Sequence, residues 1–209
     1  MSELEFLRNV LGLQQEDLLS DALAVCQIKT VSKGHKLFKR DEKPSQICLL
    51  VEGIFRGIFL DSEGNEITDC LVATPGYSLM PDSDLTVVSN LTIEALTDAR
   101  IFSLSIHDFL VLAHRYSAVQ ALYQKMLLYS FGYHRQLKVM MYQYSAAERY
   151  RWFLHYYPHV LDQISHKYVA SFLNMTPVTL SKLINHTSVS QGAPERLDLF
   201  CFPDIKSTI

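Results

Sequence analysis

The pattern of apolar and polar positions changes twice along the chain. Residues 2–24 have helical periodicity, with apolar residues sharing a face at Leu4, Leu7, Val10 and Leu11 and again at Leu18, Leu19, Ala22 and Leu23. From Val25 to Leu104 the apolar runs become short and are separated by turn-forming residues. From Ile106 to Tyr142 the helical pattern returns, without proline and with a single glycine. The chain is therefore predicted to hold a β-rich domain between helical segments.

Seven short runs in the middle of the chain have the composition and spacing of β-strands. They are Val25–Val31, Lys36–Lys39, Ile47–Val51, Ile54–Leu60, Ile67–Val72, Leu91–Ala95 and Arg100–Leu104. Turn signals lie between them, such as the hairpin tip 61–65, where Gly64 and Asn65 can take positive φ at low cost. Short strands at this spacing are typical of a β-sandwich or small barrel, here a β-roll or jelly roll. The predicted fold class is therefore α+β.

A heptad spacing marks the second half of the long helical segment. Steps of four and three residues alternate along it, at Val119, Tyr123, Met126, Ser130, Tyr133, Leu137 and Met140. Such a seam is typical of a helix that pairs with a second copy, and it predicts these seven residues as a homodimer interface. A long helix packed on its own β domain would also have an apolar stripe, so this alternative stays open.

The segment His166–Asn185 satisfies the steric demands of a helix-turn-helix in one register. Two short helices that cross steeply need apolar residues in the wedge between them, and these are predicted to be Val169, Leu173, Met175, Leu180 and Leu183. Ala170 is small where the second helix passes over the first. Asn174 stands where the turn needs positive φ, Thr176 is a suitable N-cap, and Pro177 stands at the first helical position.

The same register exposes a polar face on the second helix. This face consists of Thr176, Val178, Thr179, Ser181, Lys182 and Asn185. Hydroxyl and amide groups bond base edges or phosphates, a lysine can reach guanine or the DNA backbone, and a valine can meet a thymine methyl group. These six residues are the predicted DNA-binding surface. The alternative is an ordinary helical hairpin without a nucleic-acid partner.

Charge is distributed unevenly along the 209 residues. Residues 1–114 have a net charge of −8, residues 115–144 contain four basic residues and no acid, and residues 145–209 have a net charge of +1. Together with the change of pattern, this predicts a sensor domain over 1–114, a dimerisation helix over 115–144 and a DNA-binding domain over 145–209.

Composition narrows the class of protein further. Apolar residues make up 48% of the chain, which is typical of a folded globular protein. No apolar stretch approaches the roughly 18–20 residues needed to span a bilayer, and the N-terminus has acids where a secretory signal would be basic. The four cysteines form no C-x-x-C pair. A cytoplasmic protein without a metal site is therefore expected.

The order of these segments resembles the Crp/Fnr family of bacterial transcription regulators over residues 5–186. The residues that carry the resemblance are Lys33–Phe38, Leu49–Arg56, the hairpin Asp61–Ile67, Pro75-Gly76 and the helix-turn-helix. The resemblance implies a β-roll of the cyclic-nucleotide-binding type, a long dimer helix and a winged helix-turn-helix. A dimer of this kind is expected to bind double-stranded DNA at a near-palindromic operator.

Two departures from the family pattern concern the effector. Members that bind cyclic nucleotides have a Gly-Glu pair, whose acid binds the ribose, and a later arginine that neutralises the phosphate. Here the pair is Gly76-Tyr77, and Ser89-Asn90-Leu91 aligns with the later stretch without an arginine. A buried phosphate without a cation costs on the order of several kcal/mol, so cyclic AMP and cyclic GMP are not expected to bind.

No cofactor is predicted. The iron–sulfur branch of the family clusters its cysteines near the N-terminus, and Cys26, Cys48 and Cys70 lack that grouping. No histidine or cysteine stands out as an axial haem ligand. Three alternatives stay open for the β-roll: it senses another small molecule, a partner protein, or nothing.

The predicted function is a homodimeric, sequence-specific DNA-binding transcription regulator. The competing hypothesis is a degenerate effector-domain dimer that acts through protein contacts. Its support is the low arginine content, the acidic front half and the short segment Thr187–Ile209, where the family has a wing and only Leu197–Phe202 could form a strand. An enzyme is not expected, because the sequence has no nucleophile elbow, phosphate-binding loop or dinucleotide fingerprint.

Overall fold

The computed structural model describes residues 1–187 of the chain. Its helices are α1 (Glu3–Glu5), a π-helical turn (Phe6–Val10), α2 (Glu16–Val25), α3 (Ile106–Arg115), α4 (Ser117–Gln143), α5 (Ala146–Tyr156), α6 (His166–Phe172) and α7 (Pro177–Thr187). Its strands are β1 (Gln27–Val31), β2 (Lys36–Phe38), β3 (Gln46–Glu52), β4 (Phe55–Leu60), β5 (Glu66–Val72), β6 (Thr92–Ala95) and β7 (Ala99–Ser105). All seven predicted strands are present, which confirms the α+β class.

The strands form two antiparallel sheets with a shared apolar core. One sheet has the order β1-β7-β3 and the other the order β2-β6-β4-β5. Leu50 and Ile101 of the first sheet pack in one cluster with Phe55 and Ile93 of the second. Burial of apolar side chains between the sheets stabilises this arrangement, which is the predicted β-roll.

The hairpin between β4 and β5 contains two residues that can take positive φ at low cost, and one of them does so. Gly64 has a φ of +85°, whereas Asn65 is not among the residues with positive φ. Asn65 does not use its tolerance for positive φ and is held instead by hydrogen bonds to Asp61. Its backbone N–H and its side-chain amide donate hydrogen bonds to the two carboxylate oxygens of Asp61, at 2.9 and 3.1 Å.

The helical pattern of 106–142 forms two helices rather than one. The backbone of Tyr116 is extended, with a φ of −126° and a ψ of 113°, and it separates α3 from α4. The Tyr116 hydroxyl donates a hydrogen bond to the Asp21 carboxylate at 2.7 Å, which ties this break to α2. Within residues 1–187, no helix is both long and apolar enough to cross a bilayer.

The helix-turn-helix packs directly on the β-roll. The first helix, α6, covers β5, which is an edge strand of its sheet. Ser171 Oγ accepts a hydrogen bond from the Thr68 backbone N–H at 2.9 Å, so α6 satisfies a backbone donor of this edge. One apolar cluster runs from Ile54 and Leu71 of the β-roll into α5, α6 and α7. The division at 114 and 144 into three domains stays a prediction.

Candidate nucleic-acid interface and adjoining cavity

The turn between α6 and α7 has the backbone geometry that a helix-turn-helix needs. Asn174 has a φ of +49°, which an asparagine adopts more readily than most residues. Thr176 Oγ accepts a hydrogen bond from the Thr179 backbone N–H at 3.1 Å, and Pro177 is the first residue of α7. The predictions for the turn, the N-cap and the first helical position are confirmed.

The wedge between the two helices is filled by the residues that the sequence indicates. Val169, Leu173 and Leu180 are fully buried, and Met175 and Leu183 pack against the same cluster at its margin. Ala170 is also buried where the helices meet. The angle between α6 and α7 is therefore held by close packing, as the sequence predicts.

A residue that the sequence analysis missed holds the turn in place. Arg149 of α5 donates hydrogen bonds to the carbonyl oxygens of Leu173 at 2.7 Å, Tyr144 at 2.7 Å and Asn174 at 3.1 Å. Carbonyl groups at the end of a short helix have no partner within the helix, and a guanidinium satisfies several at once. Only the fold brings α5 and the turn together, so no spacing in the sequence indicates this role.

Five of the six predicted DNA-binding residues are exposed on α7 or at its start: Thr176, Val178, Ser181, Lys182 and Asn185. Thr179 is half-buried, and its Oγ lies 2.9 Å from that of Thr176, so its hydroxyl is part of the N-terminal cap. The face is polar and carries one positive charge, that of Lys182. Contact with DNA stays a prediction for all six residues.

The predicted dimer seam on α4 faces the rest of its own chain. Val119 is buried against α2, α3 and the β-roll, and Tyr133, Leu137 and Met140 are buried in the cluster shared with α5 and α6. These four side chains cannot also face a second copy, so their assignment to a dimer interface is corrected. The stripe instead fits the alternative, in which the long helix packs on its own domain.

The remaining three seam residues are only partly buried. Tyr123 donates a hydrogen bond from its hydroxyl to the Ser83 carbonyl oxygen at 2.9 Å. Met126 packs against the β-roll cluster, and Ser130 lines a cavity beside α4. A role of these three residues in dimerisation stays a prediction.

A second apolar stripe on α4 faces solvent. It consists of Leu128, Phe131, Val139 and Tyr142, whose exposed fractions are 73%, 70%, 37% and 82%. At about 100° per residue, these side chains lie within one quarter of the helix circumference, nearly opposite the buried seam. The exposed Arg135 lies between Phe131 and Val139 on the same face, so the set consists of two apolar pairs. We call this set the outer stripe.

A cavity of about 1690 Å³ lies between the β-roll and α4 and extends to α5. Tyr77, which stands where cyclic-nucleotide-binding proteins have an acid, stacks on Tyr129 of α4 with ring centroids 4.4 Å apart. Ser89 is 1% exposed, and its hydroxyl bonds the backbone of Leu91 as donor at 2.8 Å and as acceptor at 2.9 Å. Neither residue supplies a charge that would bind ribose or phosphate.

A pair of buried tyrosines joins this cavity to the helix-turn-helix. The hydroxyl oxygens of Tyr133 on α4 and Tyr157 after α5 lie 2.7 Å apart, and both are within hydrogen-bonding distance of the Leu71 carbonyl oxygen, at 3.3 and 3.2 Å. Burial raises the pKa of both hydroxyls above the ordinary tyrosine value, so both remain neutral at physiological pH. The β-roll, α4 and the residue after α5 therefore meet at Leu71, and the Tyr157 ring in turn contacts Phe172 of α6, with ring centroids 5.7 Å apart.

Comparison with known proteins finds similarity in structure only. No protein-family model and no curated protein matches the sequence. FixK2 from Bradyrhizobium japonicum has a TM-score of 0.69 at 19% identity, over 78% of this chain and 86% of that one. A protein described as a Crp/Fnr-family transcriptional regulator from Eubacterium rectale has a TM-score of 0.65 at 16% identity, over 84% of each chain.

A third solved structure is similar to this chain to the same degree. The cyclic nucleotide-binding domain containing protein from Listeria monocytogenes has a TM-score of 0.64 at 18% identity, over 87% of this chain and 89% of that one. At these identities the likeness establishes the fold. The chain therefore has the fold of the Crp/Fnr regulators, in which a β-roll is followed by a long helix and a helix-turn-helix.

Proposed function

We propose that the protein is a homodimeric, sequence-specific DNA-binding transcription regulator that is not controlled by cyclic AMP or cyclic GMP. The observation that carries the proposal is the helix-turn-helix. Its turn at Asn174 and its packed wedge present one polar face of α7 to solvent. The structural likeness to a transcriptional regulator of the Crp/Fnr family supports the same function.

The charge of the helix-turn-helix region supports an anionic partner. Residues 145–187 contain four lysines and arginines and two acids, whereas residues 1–114 have a net charge of −8. Lys182 on α7 and Lys167 on α6 are both exposed. Cations on these two helices can contact phosphates on either side of a groove that α7 enters. This moderate charge predicts a moderate electrostatic contribution to the binding.

The outer stripe supports a second copy of the chain as the partner of α4. This helix has 27 residues and is about 40 Å long, so two such helices side by side form an extended contact. Leu128 and Phe131 would bury apolar surface against each other across a twofold axis. Two α7 helices related by that axis would contact successive major grooves, and the operator would be a near-palindrome.

The lining of the cavity supports control by something other than a cyclic nucleotide. A cyclic phosphate needs a cation in contact with it, because a buried unpaired charge is strongly unfavourable. Tyr77 is uncharged, Ser89 is buried outside the lining, and Lys125, the one lysine or arginine that lines the cavity within the described residues, already has an interaction partner. Calorimetric titration with cyclic AMP and cyclic GMP is expected to show no saturable heat.

DNA binding is tested by selection from a random double-stranded library, followed by anisotropy measurements with the enriched sequence. The parent protein is expected to enrich a near-palindrome. The double variant Ser181→Ala/Lys182→Ala is expected to bind it about tenfold more weakly or worse. Lys36→Ala, which removes the same charge from an exposed position on β2, is the matched control and should bind like the parent.

Two outcomes would reject DNA readout by α7. One is that no sequence is enriched, and the other is that the double variant binds as tightly as the parent. Either result would favour the competing hypothesis of a dimer that acts through protein contacts and keeps the helix-turn-helix as a scaffold.

A further inference from the structure

One end of the cavity, where β5, α4 and α5 meet, carries a carboxylate. Asp69 of β5 lines the cavity at this end and is only partly exposed. Burial raises the pKa of its carboxyl above the ordinary value of 3.8, while the nearby His134 charge and a hydrogen bond with Cys70 lower it. Among the residues that the structure describes, Asp69 takes part in no ion pair.

The remainder of the lining is mostly aliphatic and aromatic. Leu91 and Ile93 of the β-roll and Leu122 and Met126 of α4 are among the apolar residues that line it. A cavity of about 1690 Å³ with such walls can enclose most of a drug-sized molecule. Its occupant would gain free energy mainly from burial of apolar surface.

We propose that the cavity binds an apolar molecule that carries an ammonium group or another hydrogen-bond donor, and that this group contacts Asp69. A donor would bond a carboxylate that is partly removed from water and that, within residues 1–187, has His134 nearby but forms no salt bridge with it. An anionic ligand would instead bring a second negative charge towards it, which is unfavourable in a partly dehydrated site. The proposal deepens the proposed function by naming the chemical class of the effector, and that class is opposite in charge to a cyclic nucleotide.

The structure also supplies a reporter of occupancy. Tyr156 and Tyr157 line the cavity, and their rings lie 5.0 and 5.9 Å from the ring of Trp152, centroid to centroid. Trp152 is the single tryptophan of the chain and is 1% exposed. A molecule that displaces either tyrosine changes the surroundings of Trp152, so binding is expected to change tryptophan fluorescence.

The test uses three probes that share one alkyl chain and do not absorb where tryptophan does: decylamine, decanol and decanoate. Each is titrated into the full-length protein, with fluorescence and calorimetry as readouts. Decylamine is expected to bind with one site per chain and about tenfold or more tighter than decanoate. Asp69→Asn is expected to abolish this preference while the affinity for decanol stays within about twofold of the parent value.

Asp82→Asn is the matched control, because Asp82 also lines the cavity but is exposed. It should keep the preference for decylamine. Equal binding of the amine and the carboxylate, loss of the preference in Asp82→Asn instead, or no saturable binding of any probe would overturn the proposal. DNA is absent from these titrations, so a failure of DNA binding in the selection experiment leaves their outcome unaffected.

Discussion

The guanidinium carbon of Arg56 lies 4.0 Å from the centre of the Tyr168 ring, so a strand of the β-roll and the first helix of the helix-turn-helix are joined by a cation–π contact. Arg56 is 3% exposed, and its charge is balanced by Glu94 on β6, at 2.6 Å, and by Glu66 on β5. A buried cation needs such partners, and the ring of Tyr168 covers a face of the guanidinium that the two carboxylates do not contact. The orientation of α6 on the β-roll therefore depends on a charged contact as well as on apolar packing.

Tyr168→Leu is expected to lower the free energy of unfolding by about 1–2 kcal/mol, because it removes the ring from a largely desolvated cation. Tyr168→Phe keeps the ring and is expected to lower it by less than half as much. Urea denaturation of the parent and both variants measures the difference. Equal losses in Leu and Phe would show that the hydroxyl group, rather than the ring, stabilises this contact.

Leu128→Lys combined with Phe131→Lys is expected to convert a dimer into a monomer, because like charges would be buried across the twofold axis. Both side chains are at least 70% exposed, so the fold of each chain should persist. Sedimentation and circular dichroism measure the two effects. Leu110→Lys, at an exposed position on α3, is the control and should leave the oligomeric state unchanged.

Lysine at Tyr133 would not test dimerisation. The Tyr133 side chain is buried within the chain and its hydroxyl bonds Tyr157, so the expected result there is unfolding. A Leu128/Phe131 double variant that still sediments as a dimer would place the contact outside the outer stripe.

Lys182→Ala and Leu180→Ala, two residues apart on α7, are expected to act by different mechanisms. Leu180 is fully buried, so its truncation should cost about 2–5 kcal/mol of stability through the cavity it leaves. Lys182 is exposed, and its loss should change stability by no more than about 0.5 kcal/mol while it weakens DNA binding.

Binding across a salt series separates the two contacts that Lys182 could make. A phosphate contact predicts uniformly weaker binding and a salt slope smaller by about one, and a guanine contact predicts relaxed specificity at one base pair. Unchanged affinity and slope in Lys182→Ala would contradict a DNA contact by this residue.

Asp69→Asn is expected to raise the melting temperature at neutral pH but not in acid. The raised pKa means that the folded protein binds the proton more tightly than the unfolded chain does. The stabilisation that results from this tighter proton binding is fully present below pH 3.8, and it is lost as the pH rises through the raised pKa. Asparagine stays neutral and avoids that loss. Thermal melts of parent and variant between about pH 3.5 and 7.5 measure the difference, with His134 and Cys70 as the neighbouring titratable groups.

Asp61→Asn is the matched control with the opposite sign. Hydrogen bonds from the backbone and side chain of Asn65 lower the pKa of Asp61, so its stabilising effect is present at neutral pH and is lost as the pH falls. This variant should therefore lower the melting temperature at neutral pH and have little effect in acid. A uniform effect of Asp69→Asn at every pH would contradict the assignment to burial of a charge.

The local pattern of apolar, cap and turn residues was enough to predict the strands and the helix-turn-helix. The seven strands followed from short apolar runs between turn residues, and the turn followed from Asn174, Thr176 and Pro177, because cap and φ preferences act within a few residues. The wing suggested at Leu197–Phe202 lies outside the described residues. The break at Tyr116 had no strong local signal, since its hydroxyl bonds Asp21, which is remote in sequence.

The sequence by itself determined which residues are apolar and which face of α7 is polar, because both follow from residue type and helical period. Only the tertiary structure decided what each apolar stripe contacts. A heptad spacing places Tyr133, Leu137 and Met140 on one face of α4, but that period is the same whether the face packs on a second copy or on its own chain. The β-roll and α5 occupy that face, which leaves Leu128 and Phe131 to solvent. Likewise, the contacts of Arg56 with Tyr168 and of Arg149 with the turn join segments far apart in the chain, and such pairings exist only once the fold has brought them together.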